Sequence, residues 1–331
     1  MGMRDDGRLA LGVDVGGTKT EIILAGRGGR VVAEHRIPTE AERGAATTLA
    51  RAAEAARGAF GSALKDAAAV GVSVAGQVGP RGVLLGAPNL GWTGADVRAL
   101  AARAFGVPAT VVNDVRAATW AEWRLGGGQG VRDLLVLFLG TGVGGGAVLG
   151  GQLLQGGSGV AGEFGHLTVV AGGRQCRCGN LGCLEAYCGG WAIEERAHDA
   201  ALADPDAGRA LVRQAGSAED ITGESVAAAL RAGDPLSQRV IEETGEVLGA
   251  ALVGLVNGLN PRRVILGGGV IDGFPELVEH ATKAVQSRSL PAARQMVEIV
   301  LASLRDNAPG LGAADLALAR IRPSRGHGSA A

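Results

Sequence analysis

Lysine and cysteine are both scarce in this chain. Only Lys19, Lys65 and Lys283 occur among 32 basic residues, and arginine, alanine and glycine abound instead, a bias that a GC-rich genome explains without any function. No block of like charges appears and the formal net charge is -1, which excludes the electrostatic footprint of a nucleic-acid or membrane-surface binder and leaves a small molecule as the expected partner. The stretch before Leu9 is polar and charged, and no apolar run of signal-peptide or membrane-spanning length follows it, so a cytoplasmic location is expected. No low-complexity segment or long linker divides the chain either. Its 331 residues, 47% hydrophobic and 20% charged, suffice for two globular domains. These then have to meet at a hinge near residues 118 to 130, where Gly126, Gly127 and Gly128 supply flexibility.

Four cysteines are too few for a disulfide framework in a chain of this length. Three of them nevertheless crowd into C-R-C-G-N-L-G-C-L-E, residues 176 to 185, shortly after E-F-G-H, residues 163 to 166. Cys176, Cys178 and Cys183 with His166 supply three thiolates and one imidazole at zinc-ligand spacing, the donor set of a closed tetrahedral structural site. Glu163 and Glu185 flank it. The competing reading is a set of free thiols with His166 as a satisfied core histidine; Cys188 has no partner and reads as a buried thiol.

Two segments repeat one pattern. L-G-V-D-V-G-G-T-K-T-E-I-I-L-A, residues 11 to 25, and L-L-V-L-F-L-G-T-G-V-G-G-G-A-V-L-G-G, residues 134 to 151, each read as strand, Gly-Thr turn, strand. Between them helices at 45 to 60, 95 to 105 and 115 to 124 alternate with strands at 69 to 74 and 109 to 112. Beyond the cysteine cluster, residues 191 to 232 read as largely helical and 236 to 258 as one long amphipathic helix. R-R-V-I-L-G-G-G then forms a strand, followed by a helix from about Phe274, a strand near 297 to 302 and a helix near 312 to 320. The tail from Arg322 to Ala331 is expected to fray.

A glycine-rich turn with threonine suits a phosphate, because bare backbone N–H groups can crowd an anion and the hydroxyl adds a donor. Gly16, Gly17 and Thr18 form one such turn, and Gly140, Thr141 and Gly142 the other. Neither fits a commoner nucleotide motif. Thr18 precedes Lys19, which is the wrong register for a P-loop. The G-x-G-x-x-G at 140 to 145 leads into a strand-like run, where a dinucleotide site needs a helix. Asp14 closes the first strand beside its turn, so a bound phosphate there calls for a magnesium ion between the two anions. Asn113-Asp114 ends an apolar strand and opens a helix, so Asp114 is either a reacting carboxylate or a helix N-cap.

The ordered set D-V-G-G-T-K, A-P-N-L-G-W, V-N-D-V-R-A-A, L-G-T-G-V-G-G-G, E-F-G-H, the cysteine cluster and V-I-L-G-G-G-V resembles the ROK family of repressors, open reading frames and sugar kinases, over residues 10 to 320. The resemblance implies an α/β fold of the two-domain actin-like (ribonuclease-H-like) ATPase type, with ATP and a sugar in a cleft between domains. The smaller domain is expected over residues 1–120 plus about 305–325, and the larger over 121–304. It further implies Asp114 as general base, and Asn89, Asn113, Glu163, His166 and Glu185 as sugar ligands. Asp14, Gly16, Gly17, Thr18 and Lys19, with Gly140, Thr141 and Gly142, are implied at the ATP phosphates. Gly267, Gly268 and Gly269 are implied against the adenosine, with Mg2+ beside the phosphates, structural zinc in the knuckle and a homodimer as the default assembly.

The resulting expectation is an ATP-dependent kinase acting on a hexose 6-hydroxyl, glucose first and N-acetylmannosamine or N-acetylglucosamine next. A family repressor would need a DNA-binding domain, and only 13 residues precede Asp14. A catalytically silent sugar sensor is the non-enzyme alternative. The segment 71 to 79, G-V-S-V-A-G-Q-V-G, and the V-R after Asp114 depart from the family's sugar-side pattern and bear on the choice of sugar.

Overall fold

The computed structural model describes residues 7–321; the tail from Arg322 to Ala331 lies outside them. The chain divides into two compact units. The first runs to Gly126 and takes in Gln155–Ala161 and the chain from Asp306; the second comprises Gly127–Leu154 and Gly162–Arg305.

In the first unit, strands β1 (Leu9–Val15), β2 (Lys19–Gly26) and β3 (Val31–Pro38) form an antiparallel meander. Helix α1 (Gly44–Phe60) leads to β4 (Ala67–Val74), which lies parallel to β1. A short hairpin of β5 (Gln77–Val78) and β6 (Leu84–Gly86) follows, then α2 (Val97–Phe105), β7 (Ala109–Asn113) and α3 (Asp114–Leu125). The sheet order is β3-β2-β1-β4-β7. Its central strands are apolar on both sides because both faces are covered. Leu49, Ala52 and Ala56 of α1 pack on one. Leu311, Ala314 and Leu318 of the last helix of the chain pack on the other. That helix lies so close that a Cβ at Gly12 or Gly71 would overlap its backbone carbonyls.

The second unit repeats this plan. Strands β8 (Leu134–Leu139), β9 (Val143–Leu149) and β10 (Gln152–Leu153) form the meander. After α4 (Glu185–Cys188), α5 (Gly190–Ala203), α6 (Pro205–Ala215), α7 (Gly223–Arg231) and α8 (Pro235–Leu259), strand β11 (Arg263–Gly267) enters parallel to β8. Then come α9 (Gly269–Gly273), α10 (Glu276–Arg288), α11 (Pro291–Arg294) and β12 (Glu298–Leu301), parallel to β11. The chain returns to the first unit in α12 (Ala308–Arg320), the helix that covers β1 and β4. The order β10-β9-β8-β11-β12 matches the first sheet strand for strand, so the two hairpins are an internal repeat.

Helix α8 shows why the long amphipathic pattern is legible. Asp234 caps it by accepting from Ser237 N–H at 2.8 Å, and Pro235 occupies the first turn, where its missing N–H costs nothing. Leu236, Val240, Ile241, Leu248, Leu252 and Leu255 recur at helical spacing and are buried.

The structure adds three points to the expectations. β3 was not anticipated: V-V-A-E-H-R-I-P is largely exposed and carries charge, as a sheet edge does, so no apolar run announces it. The division between the units falls at Gly126 and Gly127, within the expected 118 to 130 stretch and at its glycines, after α3 has run unbroken to Leu125. Residues 155–161 also belong with the first unit, where Arg116 donates to Gly159 O. Among the described residues no helix is long and apolar enough to cross a membrane.

Candidate active site

At the tip of β1 and β2, Gly16 N–H donates to Lys19 O at 3.1 Å. Thr39 holds this tip from behind: its hydroxyl donates to Gly16 O at 2.8 Å and its N–H to Thr18 O at 2.9 Å. Gly17, Thr18 and Lys19 are exposed, and Lys19 reaches Asp306 at 4.0 Å, an exposed pair of little energetic weight. Asn89 packs beside Gly17, whose would-be Cβ stands 3.5 Å from Asn89 O.

Asp14 ends β1 opposite Ser73 of β4, whose hydroxyl donates to Asp14 Oδ1 at 2.8 Å. Burial pushes the Asp14 carboxyl up to about 7, and the charges of Asp114 and Glu21 add to that, while the Ser73 hydrogen bond and Lys19 oppose it. Lys19 compensates such an acid only weakly, and the acid's hard oxygen donors fit a magnesium ion brought by a nucleotide.

Asn113 ends β7. Its Oδ1 accepts from Arg116 N–H at 3.0 Å, and its Nδ2 donates to Gly76 O at 3.1 Å and to Asp114 Oδ1 at 2.8 Å. The helix cap is therefore Asn113, and the reading of Asp114 as N-cap is wrong. Asp114 is instead the first helical residue, its Oδ1 fixed also by Val115 N–H at 2.9 Å. Burial and charge thus gather Asp14, Asn113 and Asp114 in the first unit, at the carboxyl ends of β1 and β7.

In the second unit the turn between β8 and β9 is closed by Gly140 N–H donating to Gly142 O at 2.9 Å. Behind it, Gly190 N–H and Trp191 N–H, at the start of α5, donate to Gly140 O at 2.8 Å and Thr141 O at 3.3 Å. Helix starts carry such unpaired donors. Val143 N–H donates to Glu185 Oε2 at 2.9 Å, and a Cβ on Gly142 would overlap that same oxygen. Gly268 sits at φ +96°, and a Cβ there would overlap the Leu139 backbone, which places it next to the turn, with Gly267 before it against Phe138 and Gly269 following.

The E-F-G-H segment is laid on β9, since a Cβ on Gly165 would overlap Val143 O. Glu163 precedes this short helical turn and His166 closes it. His166, Cys176, Cys178 and Cys183 bring one ligand atom each within 4.8 Å of one another. Cys178 and Cys183 Sγ atoms are 3.7 Å apart, and Cys176 Sγ is 3.8 Å from His166 Nδ1. A tetrahedron with metal–sulfur bonds of about 2.3 Å has edges of about 3.8 Å, so the donor set fits zinc. Burial pushes the Cys176 thiol up to about 12 and raises Cys183, whereas the backbone at Asn180 lowers Cys178. Metal binding overcomes such a cost by stabilising the thiolates. Cys188 is fully buried, as expected of a plain core thiol.

Sequence reasoning missed Ser73, Thr39 and the start of α5. Ser73 becomes relevant only through the parallel β1/β4 register, and the α5 donors only through the return of the chain to the turn, so no local signal marks them.

The family model described as the ROK family matches residues 10–320. The chain is 34% identical over 313 residues to a glucokinase of Streptomyces coelicolor, covering 93% of this chain and 97% of that one. It is 34% identical over 273 residues to a kanosamine kinase of Amycolatopsis mediterranei, covering 81% of this chain and 82% of that one. Among solved structures, a ROK family glucokinase from Streptomyces griseus in complex with glucose and AMPPNP superposes with a TM-score of 0.78 at 35% identity, covering 94% of this chain and 99% of that chain.

Proposed function

The chain belongs to the ROK family, with its two-domain actin-like ATPase fold, and on that premise we propose that it transfers the γ-phosphoryl group of ATP to the 6-hydroxyl of glucose. The observation that carries this reading is the pair of carboxylates in the first unit. Asp114 is fixed through one oxygen and lies near enough for its charge to raise Asp14, and Asp14 stands beside a Gly-Thr turn.

A sugar hydroxyl is a weak nucleophile at neutral pH. Asp114 accepts the proton of the 6-hydroxyl as that oxygen bonds to the γ-phosphorus, the bond from phosphorus to the bridging β,γ-oxygen breaks, and ADP leaves with that electron pair. Asn113, whose amide is already committed to Asp114 and Gly76, orients the base as well as the sugar. Asn89, Glu163, His166 and Glu185 hold the sugar hydroxyls; the carboxylates accept hydrogen bonds from vicinal diols. Gly16 to Lys19 and Gly140 to Gly142 hold the phosphates, and Gly267 to Gly269 lie against the adenosine. Asp14 would hold the magnesium ion, which would offset phosphate charge when bound. His166, Cys176, Cys178 and Cys183 would hold the zinc, which would order the His166 ring beside the proposed sugar site.

A homodimer in the cytoplasm completes the proposal, on family likeness. N-acetylmannosamine or N-acetylglucosamine is the second substrate reading, because the family's glucose and N-acetylhexosamine kinases share the C-x-C-G-x-x-G-C-x-E knuckle; the altered 71 to 79 segment bears on the choice without favouring either. The test is a coupled assay of ADP release with magnesium-ATP against glucose, both N-acetylhexosamines, kanosamine, mannose, fructose and allose. Glucose leading in kcat/KM is expected. Another sugar leading replaces the substrate, and sugar binding without turnover replaces the enzyme by a sensor.

A further inference from the structure

We infer that the cysteine knuckle positions the Gly140–Gly142 turn, so that metal held there raises affinity for the nucleotide as well as for the sugar, with Glu185, Arg177 and Trp191 as positioning residues. The inference rests on the reading of that turn as a phosphate holder.

Three connections join knuckle and turn. Glu185 spans them with one carboxylate: Oε2 accepts from Val143 N–H at 2.9 Å, and Oε1 lies 3.9 Å from Cys176 Sγ. Gly142 gives that carboxylate room to sit against the turn, since a Cβ there would overlap Oε2. The start of α5 supplies the second connection through the Gly190 and Trp191 N–H bonds to the turn carbonyls. The third is Arg177, which sits between two cysteine ligands and places its guanidinium 4.3 Å from the centroid of the Trp191 ring. Trp191 is in turn buried with Cys176, Cys183, Ala186 and Ala192 in a small cluster of their own.

So small a cluster holds the knuckle weakly by burial alone, which makes the metal the main source of its order. When the knuckle loosens, Cys176 leaves Glu185 and Arg177 leaves Trp191. The turn then loses the two props that fix its backbone, and ordering it becomes a cost of binding nucleotide.

The experiment titrates magnesium with a non-hydrolysable ATP analogue into sugar-free protein by calorimetry, with zinc content measured on each sample. Protein stripped by a zinc-selective chelator is expected to bind the analogue at least about ten-fold more weakly. Arg177→Ala with full zinc is expected to raise the analogue Kd about two- to five-fold, the range of an exposed cation–π contact, and to leave the glucose Kd within about two-fold. A lower folded fraction alone would reduce binding stoichiometry and leave both Kd values in place. An unchanged analogue Kd for zinc-replete Arg177→Ala, or for stripped protein that stays folded, overturns the inference. Thr141→Ala in the zinc-replete protein separates the two levels: if it leaves the analogue Kd unchanged, the phosphate-turn reading itself has failed.

Discussion

In the first unit the Gly16–Lys19 tip is held by one threonine and stands beside two carboxylates, whereas in the second the Gly140–Gly142 turn is held by a glutamate and a helix start and stands beside a metal-ligand knuckle. The sheets beneath them have the same strand order and the same antiparallel hairpin, so the backbone plan does not account for the contrast. On the proposed function, the repeated fold offers two equivalent places for an anion, and the side chains added to each decide its task. In that reading the first unit has gathered the groups that would move a proton and answer to a cation, while the second has gathered the groups that make a turn rigid.

The sharpest way to break this division is Asp114→Asn. If the first unit performs the chemistry, the variant keeps sugar binding and loses turnover by roughly a thousand-fold, within the range of a lost general base. The amide can still accept from Val115 N–H, so the fold should stand. Coupled-assay kcat together with the glucose Kd decides it, and near-normal turnover would falsify the role of Asp114.

Asp14→Asn tests the same unit through stability. Because the carboxyl is raised from 3.8 to about 7, the folded protein holds its proton where the unfolded chain has released it. That contribution to stability is fully present below about pH 4 and is lost as pH rises through 7. In ligand-free protein the ionised carboxylate therefore opposes folding at pH 8 by a few kcal/mol, since each ten-fold change in proton affinity is worth roughly 1.4 kcal/mol. Asp14→Asn should raise Tm at pH 8, change it little at pH 4, and reduce turnover severely. Melting curves across pH check it, and an equal Tm difference at both pH values would place the raised carboxyl elsewhere.

The contrast between units also tracks what could be read from the chain alone. The two hairpins, the cysteine cluster and α8 were legible because each is written in consecutive residues: apolar runs around glycine, ligand spacing, and a helical period with a cap. β3 was illegible because an exposed edge strand lacks an apolar run. Asp114 could not be told from a cap until Asn113 was seen to fill that place. The props of the second turn were hidden for a different reason. Glu185 reads locally as part of the knuckle, and its bond to Val143 exists only once the chain has folded back over β8 and β9. Local pattern reveals what a segment is, and long-range pairing reveals what it supports.

The finest distinction between the turns lies in their two threonines. Thr18 and Thr141 are both exposed and both follow glycine, so each should donate one hydroxyl to a phosphate oxygen. A hydrogen bond to a charged acceptor contributes about 1.5–3 kcal/mol, so Thr18→Ala and Thr141→Ala should each raise KM for ATP by about ten-fold or more. The turns differ in how the loss is shared. At Thr141 the backbone donors stay fixed by Glu185 and α5, so the loss should stop at the hydroxyl. The Gly16–Lys19 tip is braced from behind by Thr39, with no glutamate or helix start to match among the described residues, so the Thr18 variant should also loosen the backbone beside Asp14. The expected result is a rise in KM for both, with a fall in kcat confined to Thr18→Ala. Equal kcat losses in both variants would mean that the turns are as alike in function as in topology.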